Sequence, residues 1–178
     1  DRKPVKVTLT WGFWMGEHEL TQREYTLVLR KNPRMGFTRH KNAPHWGVRD
    51  SKTLTDFCKK LNEFERKAGI LPNGWEYVAP TEAQWEYACR AGSDSAFCFG
   101  GDPAKLGRYG NFADNSLRKA NANYYWAESR ADDGVGEALA PVGSYLPNAW
   151  GLRDMHGNVA ELVADHLVTE RLGGKDPL

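Results

Sequence analysis

Two carboxylates near the end of the chain are the residues best suited to chemistry, and the chemistry that they suit is binding of a hard cation. Asp154 and Glu161 flank a turn that runs from Gly157 to Val159. Calcium takes oxygen ligands from carboxylates and from backbone carbonyls in irregular loops, and such a turn can direct carbonyls between the two acids. The sequence therefore predicts a calcium loop. The alternative is a solvated turn in which Arg153 forms a salt bridge with these acids.

The three cysteines, Cys58, Cys89 and Cys98, show no spacing that is typical of a zinc site. Because their number is odd, at least one stays unpaired within the chain. The simplest interpretation is three packed thiols, and we favour it for Cys58, which falls on the apolar face of a predicted helix.

The five histidines are scattered, and no two form a metal-ligand pair at helical spacing: His18, His40, His45, His156 and His166. A single imidazole is more often a surface residue or a hydrogen-bonded core residue than a metal ligand. We therefore expect no histidine-based metal centre.

Length and composition are those of one ordinary globular domain. The chain has 178 residues, of which 40% are hydrophobic and 26% charged, and this length is sufficient for a single buried core. A net charge of +1 without a long Lys/Arg run argues against nucleic-acid binding. No apolar stretch approaches the roughly 18 residues that cross a bilayer, so we expect no membrane span.

The beginning of the chain, residues 1–4, has neither an initiator Met nor the pattern of a signal peptide. This predicts a chain that is processed or cut from a longer one. The compartment stays open, and a secreted or periplasmic location is compatible with the sequence.

Hydrophobic periodicity predicts two short strands followed by three helices. Alternation of apolar and polar residues indicates a half-buried strand over 5–11, and a second strand follows over 13–19. The predicted helices span about 22–30, 54–68 and 82–90. The first and third begin at capping boxes headed by Thr21 and Thr81, in which the cap and the third helical residue bond each other's backbone.

From residue 92 to residue 147 the sequence consists mostly of Gly, Asn, Asp and aromatic residues with little period. Such a stretch is either disordered or held by something other than regular hydrogen bonding. The aromatic residues argue against disorder. A bound metal is one candidate for what holds it.

Four segments, in this order, resemble the formylglycine-generating-enzyme family, whose members are also called sulfatase-modifying factors. Segment 14–22 resembles the family's M-G…E-V-T-Q start, and segment 57–61 resembles its F-C-x-W-L helix. Segment 80–88 reads PTEAQWEYA and is close to P-T-E-A-E-W-E-Y-A. Segment 140–161 is similar to A-P-V-G-S-x-x-P-N-x-x-G-L-x-D-M-x-G-N-V-W-E. Together the four span most of the chain, and the last two are highly specific.

The resemblance implies a compact α+β fold related to C-type lectins, with short strands, two to three helices and much irregular loop. It also implies two calcium sites. One would use the carboxylates and carbonyls of Asp154, Gly157, Val159 and Glu161. The other would use Asn111, Asp133 and the carbonyls of Phe112 and Val135.

Catalytic members of the family oxidise a sulfatase cysteine to formylglycine with oxygen. They resemble one another in two late cysteines that bind Cu(I), a metal that soft thiolates suit. No cysteine follows Cys98 here, and Cys89 resembles a structural cysteine of some members. Ala160 and Leu162 also stand where the family usually has Trp. We therefore assign no catalytic residue, and we expect Cu(I) only if a further C-terminal segment supplies the pair.

The function predicted from these features is that of a calcium-stabilised family domain, residues 1–178, which lacks the part that carries the catalytic cysteines. It would act as a non-catalytic module that binds a protein, a peptide or a small ligand. The alternative is a sulfatase-maturing oxidase whose catalytic segment is not in this chain. Because a scaffold without its closing strands exposes a sheet edge, we expect a partner or further chain to cover an open C-terminal edge.

Overall fold

The regular elements of the chain are short and widely separated. The structure, a computed structural model, describes residues 5–31, 42–48, 50–124, 132–165 and 173–177. In chain order the elements within these residues are β1 (Val7–Thr8), α1 (Gln22–Leu29), α2 (Ser51–Lys67), α3 (Glu82–Arg90), a 3-10 helix (Pro103–Arg108), α4 (Asn115–Ala120), a second 3-10 helix (Ala122–Tyr124) and β2 (Gly174–Lys175). Most of the described chain is therefore irregular, as the turn-rich composition predicts.

Both predicted capping boxes are present, and they begin α1 and α3. The Thr21 side chain accepts a hydrogen bond from the Glu24 N–H, and the Thr21 N–H donates to Glu24 Oε2 at 2.8 Å. In the same way the Thr81 N–H donates to Gln84 Oε1 at 2.9 Å. These reciprocal bonds satisfy backbone donors that a helix start leaves free, so the local sequence determines where both helices begin.

Two helix predictions need correction. α2 begins at Ser51, about one turn before the predicted start, because the Asp50 carboxylate accepts a hydrogen bond from the Thr53 N–H at 2.7 Å and caps the helix earlier. The described residues also contain a fourth α-helix, α4, beyond the predicted two to three. Asp114 caps α4 by accepting hydrogen bonds from two backbone N–H groups of its first turn.

The strand predictions are correct only in part. The strand expected over 5–11 is reduced to β1, and segment 13–19, which is fully described, forms no strand. β1 pairs in parallel with β2, and beyond them the Thr10 N–H donates to Asp176 Oδ1 at 2.7 Å. Alternation predicts an extended backbone, but a strand also needs a partner backbone, which a local pattern does not supply. The elements agree with a mixed α+β domain, and the relation to C-type lectins stays a prediction.

A hydrophobic cluster lies between α1 and α2. Tyr25, Leu29 and Phe57 are buried together, and Cys58 packs against them. The Tyr25 ring stacks on Phe57 at a centroid distance of 6.3 Å and on His45 at 3.8 Å. Cys58 is thus a packed thiol, as predicted. None of the helices in the described ranges combines the length and the apolar character that a bilayer crossing requires.

The irregular segment 140–164 is tied to the rest of the molecule at close range. Asn148 Nδ2 donates to the carbonyl of Ala88, in α3, at 2.8 Å. Two glycines allow the backbones to touch. A Cβ on Gly110 would lie 1.9 Å from the carbonyl oxygen of His156, and one on Gly157 would lie 2.1 Å from that of Asn111. These contacts place the predicted calcium loop directly on segment 110–111.

Candidate metal-binding site

Asp154 is a buried acid whose two carboxylate oxygens differ in their hydrogen bonding. The residue is 1% exposed, and its Oδ2 accepts a hydrogen bond from the Gly143 N–H at 2.6 Å. Its Oδ1 makes no hydrogen bond to any described residue. Burial raises the pKa of the carboxyl. Arg153 pairs with Glu17 at 3.2 Å, so the alternative of a solvated turn with an Arg153 salt bridge is wrong for Asp154.

A cavity of about 230 Å³ brings the four residues of the first predicted site together. Its lining includes Asp154, Gly157, Val159, Glu161 and Trp85. Glu161 as a residue is exposed, although desolvation still raises the pKa of its carboxyl. No three His, Cys, Asp or Glu side chains of the described ranges converge as metal ligands. A cation here would therefore depend on carbonyl oxygens besides the two acids, which is the predicted ligand set.

Glu19 is a third acid behind this loop, and sequence reasoning did not assign it to the site. It is 5% exposed and accepts hydrogen bonds from Asn158 Nδ2 at 2.9 Å and from the Val159 N–H at 3.1 Å. Burial raises the pKa of Glu19 to about 8, and the charges of Asp154 and Glu161 add to the effect. Its place in the first family-like segment was the only sequence signal that could have found it.

The second predicted site is also assembled, but its acid is already hydrogen-bonded. Asp133 Oδ2 accepts from the Phe112 N–H at 3.3 Å, and its Oδ1 accepts from the Val135 N–H at 2.8 Å. Asn111 Nδ2 donates to the carbonyl of Ala138 at 2.9 Å. The four predicted residues are therefore neighbours, and a cation would have to replace or share the N–H groups that now bond Asp133.

Asp114 supports this second group and was missed by sequence reasoning. It is 0% exposed, and its Oδ2 accepts a hydrogen bond from the Asp133 N–H at 2.5 Å. Ser116 Oγ lies 2.6 Å from Asp114 Oδ1 and 3.0 Å from Asp133 Oδ1. An Asp that precedes a short helical pattern is a recognisable N-cap, so the cap could have been found, but its contact with Asp133 could not.

His156, on the same loop as Asp154, lies between two thiols. Cys98 Sγ is 3.2 Å from His156 Nε2, and Cys89 Sγ is 4.0 Å from Nδ1. Cys89 also donates to the carbonyl of Met155 at 3.4 Å. Burial raises the pKa of Cys89 to about 11, raises that of Cys98 and lowers that of His156. All three groups are therefore neutral near pH 7. The sulfurs face opposite ring nitrogens, so the half-buried His156 contacts both thiols.

An open aromatic groove of about 990 Å³ runs between the N-terminal segment and α3. Trp11 and Trp14 line it and are 80% and 86% exposed. Trp150 closes the opposite side, and its ring lies 4.9 Å from that of Tyr87. Large exposed apolar patches on other proteins are often interaction or ligand-binding sites.

The chain matches the family described as "Sulfatase-modifying factor enzyme 1-like domain" over residues 1–176. The formylglycine-generating enzyme of Mus musculus is 33% identical over 105 residues, which cover 55% of this chain and 26% of the mouse protein. That of Mycobacterium tuberculosis is 37% identical over 83 residues, or 46% of this chain and 25% of the relative. The chaperone protein LppX of Paenibacillus barcinonensis is 26% identical over 181 aligned positions, or 87% of this chain and 62% of that protein.

No solved structure matches the chain significantly. The chain spans about a quarter of the length of the formylglycine-generating enzymes that it matches. The family match, in contrast, covers nearly every residue and includes all four segments on which the resemblance rests. The chain therefore belongs to the family of sulfatase-modifying factor enzyme 1-like domains.

Proposed function

We propose that this chain is a calcium-stabilised domain of the sulfatase-modifying factor family that acts as a non-catalytic binding module. The observation that carries the calcium part is Asp154 Oδ1, a buried carboxylate oxygen without a hydrogen bond to any described residue, on the cavity that Glu161 also lines. A buried charge without a partner opposes folding. A cation beside Asp154 would remove that cost.

The two predicted sites differ in how readily they could take an ion. At the first, the carboxylates of Asp154 and Glu161 and the carbonyls of Gly157 and Val159 would hold Ca²⁺, whose charge would offset the acids and order the loop. At the second, Asp133 bonds two backbone N–H groups that an ion would displace or share. We therefore propose that the first site binds more tightly.

The settings of the cysteines support a non-catalytic module. Cys58 packs between α1 and α2, while Cys89 and Cys98 face opposite nitrogens of His156. Burial raises the pKa of each of the three thiols. Thiolates are the form that binds soft metals such as Cu(I). The raised pKa values therefore disfavour the form in which these three cysteines would bind copper.

The aromatic groove supports the binding role. Its exposed Trp11 and Trp14 rings offer apolar area to a protein, a peptide or a small ligand without a strong charge requirement. We keep the prediction that a partner or a further part of the chain covers an open edge of this domain.

A sulfatase-maturing oxidase is the second candidate function. It is favoured by the similarity to the formylglycine-generating enzymes of Mus musculus and Mycobacterium tuberculosis. In that case a cysteine pair outside these 178 residues would have to supply the Cu(I) ligands, and this domain would contribute scaffold and binding surface.

Calcium dependence is tested by measuring the free energy of unfolding with denaturant in calcium and in a chelator. Calcium at roughly 100 to 1,000 times its dissociation constant is expected to add about 2.7 to 4.1 kcal/mol. Magnesium at the same concentration serves as the control, since it prefers a smaller, octahedral site. Equal unfolding curves in calcium and chelator would reject both calcium sites.

The two functions are separated by incubating the full-length gene product, with whatever sequence follows Leu178, with Cu(I) and a sulfatase-type cysteine peptide under oxygen. A binding module leaves the peptide thiol intact, whereas an oxidase converts it to an aldehyde that a hydrazide reagent detects. The same peptide with Ser in place of Cys reports background reaction. Aldehyde formation that depends on the peptide thiol would establish the oxidase and exclude the non-catalytic proposal.

A further inference from the structure

Asn158 lies at the centre of the turn whose carbonyls belong to the first predicted calcium site. Its neighbours are Gly157 and Val159, and its φ of 63° is in the left-handed region, which asparagine tolerates better than most residues. A residue other than glycine keeps such a backbone conformation only where the surrounding structure holds it. The contacts of the Asn158 side chain therefore bear on how the turn is held.

The side-chain amide of Asn158 uses all of its hydrogen-bonding capacity. Its Nδ2 donates to Glu19 Oε2 at 2.9 Å and to the carbonyl of Ala140 at 3.1 Å. Its Oδ1 accepts from the Ala140 N–H at 2.9 Å and from Asn111 Nδ2 at 3.2 Å. A primary amide has two N–H donors and an oxygen that can accept twice, so each of these positions has a partner. An aspartate here could keep only the two contacts in which the oxygen accepts.

The partners of Asn158 join the two predicted sites. Asn111 is a predicted ligand of the second site, and its carbonyl also accepts from the Asn158 N–H at 2.7 Å. Glu19 bonds the Asn158 side chain through Oε2 and the Val159 N–H through Oε1, at 3.1 Å. Ala140 is 1% exposed, and its N–H and carbonyl both bond the same amide. The turn of the first site and a ligand of the second are thus fastened to one buried backbone position.

We propose that Asn158 is a positioning residue for both calcium sites, whose side chain fixes the turn of the first site and, through Asn111, the second. This inference rests on the proposed calcium function. It requires no contact to form when an ion binds, because all four side-chain hydrogen bonds already exist in the fold. Residues that orient metal ligands in this way typically change metal affinity by roughly 10- to 100-fold when they are replaced.

Calcium titration calorimetry on the wild type, Asn158→Asp and Asn73→Asp tests the proposal. Asn158→Asp keeps the shape of the side chain but turns its two donors into a charged oxygen that faces the Glu19 carboxylate and the Ala140 carbonyl. Charge alone would raise calcium affinity, because the loop gains a carboxylate. Loss of positioning lowers it, and we expect a decrease of roughly 10- to 100-fold at both sites. Asn73→Asp adds the same charge at an exposed position between α2 and α3 and should bind calcium as the wild type does.

The reciprocal double variant Glu19→Gln/Asn158→Asp provides a rescue that charge does not explain. It restores a hydrogen bond between positions 19 and 158 with donor and acceptor exchanged, and the amide oxygen at position 19 can still accept from the Val159 N–H. The double variant should therefore bind calcium more tightly than Asn158→Asp, although it carries one negative charge fewer. A purely electrostatic effect predicts the opposite order.

Asp133→Asn and Asp154→Asn identify which binding heat belongs to which site, and calcium-free thermal unfolding shows whether each variant is folded. If Asn158→Asp is not folded, Asn158→Gly replaces it: glycine accepts the positive φ and removes the same four bonds, so the same loss is expected. Calcium affinity at or above the wild-type value in the folded variant overturns the inference alone, as does a loss at one site only or a double variant that binds more weakly than Asn158→Asp. Absence of calcium binding by the wild type rejects the proposed calcium function and the inference with it.

Discussion

Buried carboxylates stabilise a fold only when a donor or a cation stands beside them. Three acids lie around the loop that follows Asp154. Glu19 accepts hydrogen bonds from two N–H donors, and Asp154 accepts one from a backbone N–H. Glu161 lines an open cavity. Desolvation raises the pKa of all three acids. Without a cation their ionisation therefore opposes folding, and a bound calcium ion would reverse the sign of the effect.

Asp154→Asn tests this balance at a single atom. The variant should lose the calcium-dependent gain in the free energy of unfolding, about 3 kcal/mol at roughly 100 times the dissociation constant. In chelator it should be at least as stable as the wild type, since the unpartnered charge is gone. Denaturant unfolding in calcium and in chelator measures both. Asp94→Asn, at an exposed position, is the control, and a full calcium gain in Asp154→Asn would reject Asp154 as a ligand.

Glu19 predicts how stability without calcium depends on pH. Its pKa is raised from 4.5 in the ordinary state to about 8 in the fold. The native state therefore binds the proton more tightly, and the free energy of unfolding falls as the pH rises from 4.5 to about 8. The slope from this group reaches about 1.4 kcal/mol per pH unit.

Glu19→Gln should flatten that slope in calcium-free buffer, because the titrating group is absent. Denaturant unfolding at intervals between about pH 5 and about pH 8 gives the measurement. Glu63→Gln, at an exposed position on α2, should leave the slope unchanged. Identical slopes in Glu19→Gln and the wild type would show that Glu19 does not titrate in this range.

At the scale of elements, caps position the candidate site. Thr81 caps α3, and the helix then places Trp85 on the Asp154 cavity and Cys89 against His156. Helical periodicity and the two capping boxes were sufficient to predict α1 and α3, because those signals lie within a few neighbouring residues. β1 and β2 were not predictable as a pair, since they join segments at opposite ends of the chain.

Thr81→Ala should reduce the free energy of unfolding by about 1 kcal/mol, because it removes the N-cap oxygen of α3. Urea unfolding measures the loss. Thr55→Ala is the matched control: Thr55 is exposed within α2, and its hydroxyl donates to the carbonyl of Ser51 at 2.8 Å. Equal losses in the two variants would contradict a specific capping role for Thr81.

At the scale of the whole molecule, the two predicted calcium sites are joined by backbone contact rather than by a shared element. The Asn158 N–H donates to the carbonyl of Asn111 at 2.7 Å, and Asn111 Nδ2 lies 3.2 Å from Asn158 Oδ1. Gly110 and Gly157 leave the space in which this contact forms. Disturbing one loop should therefore disturb the other.

Gly110→Ala is expected to cost about 3 kcal/mol of folding free energy, since its Cβ would meet the His156 carbonyl carbon and oxygen and force the backbones apart. Calcium should also stabilise this variant less, because the loop that holds Asp154 is displaced. Gly101→Ala, whose Cβ would meet nothing within 4 Å, should remain within about 0.5 kcal/mol of the wild type. Denaturant unfolding of both variants gives their free energies of unfolding. Similar values would contradict the close contact between Gly110 and the His156 carbonyl.

The sequence by itself determined the family, the starts of α1 and α3, and four of the residues that line the cavity at Asp154. Each of these depends on neighbours in the chain: a capping residue and its partner three positions later, or a short motif that carries both acids and the turn between them. Local patterns of this kind can be recognised without knowledge of the fold.

Only the tertiary structure decided that Asp154 is buried with one oxygen unbonded, and that Glu19 stands behind its loop. It also placed His156 between Cys89 and Cys98. The physical reason is that burial and hydrogen bonding here are set by segments far apart in sequence, such as Glu19 and Val159. Local periodicity does not encode which distant backbone will bury a given acid. That burial determines whether ionisation of the acid opposes folding unless a cation is bound.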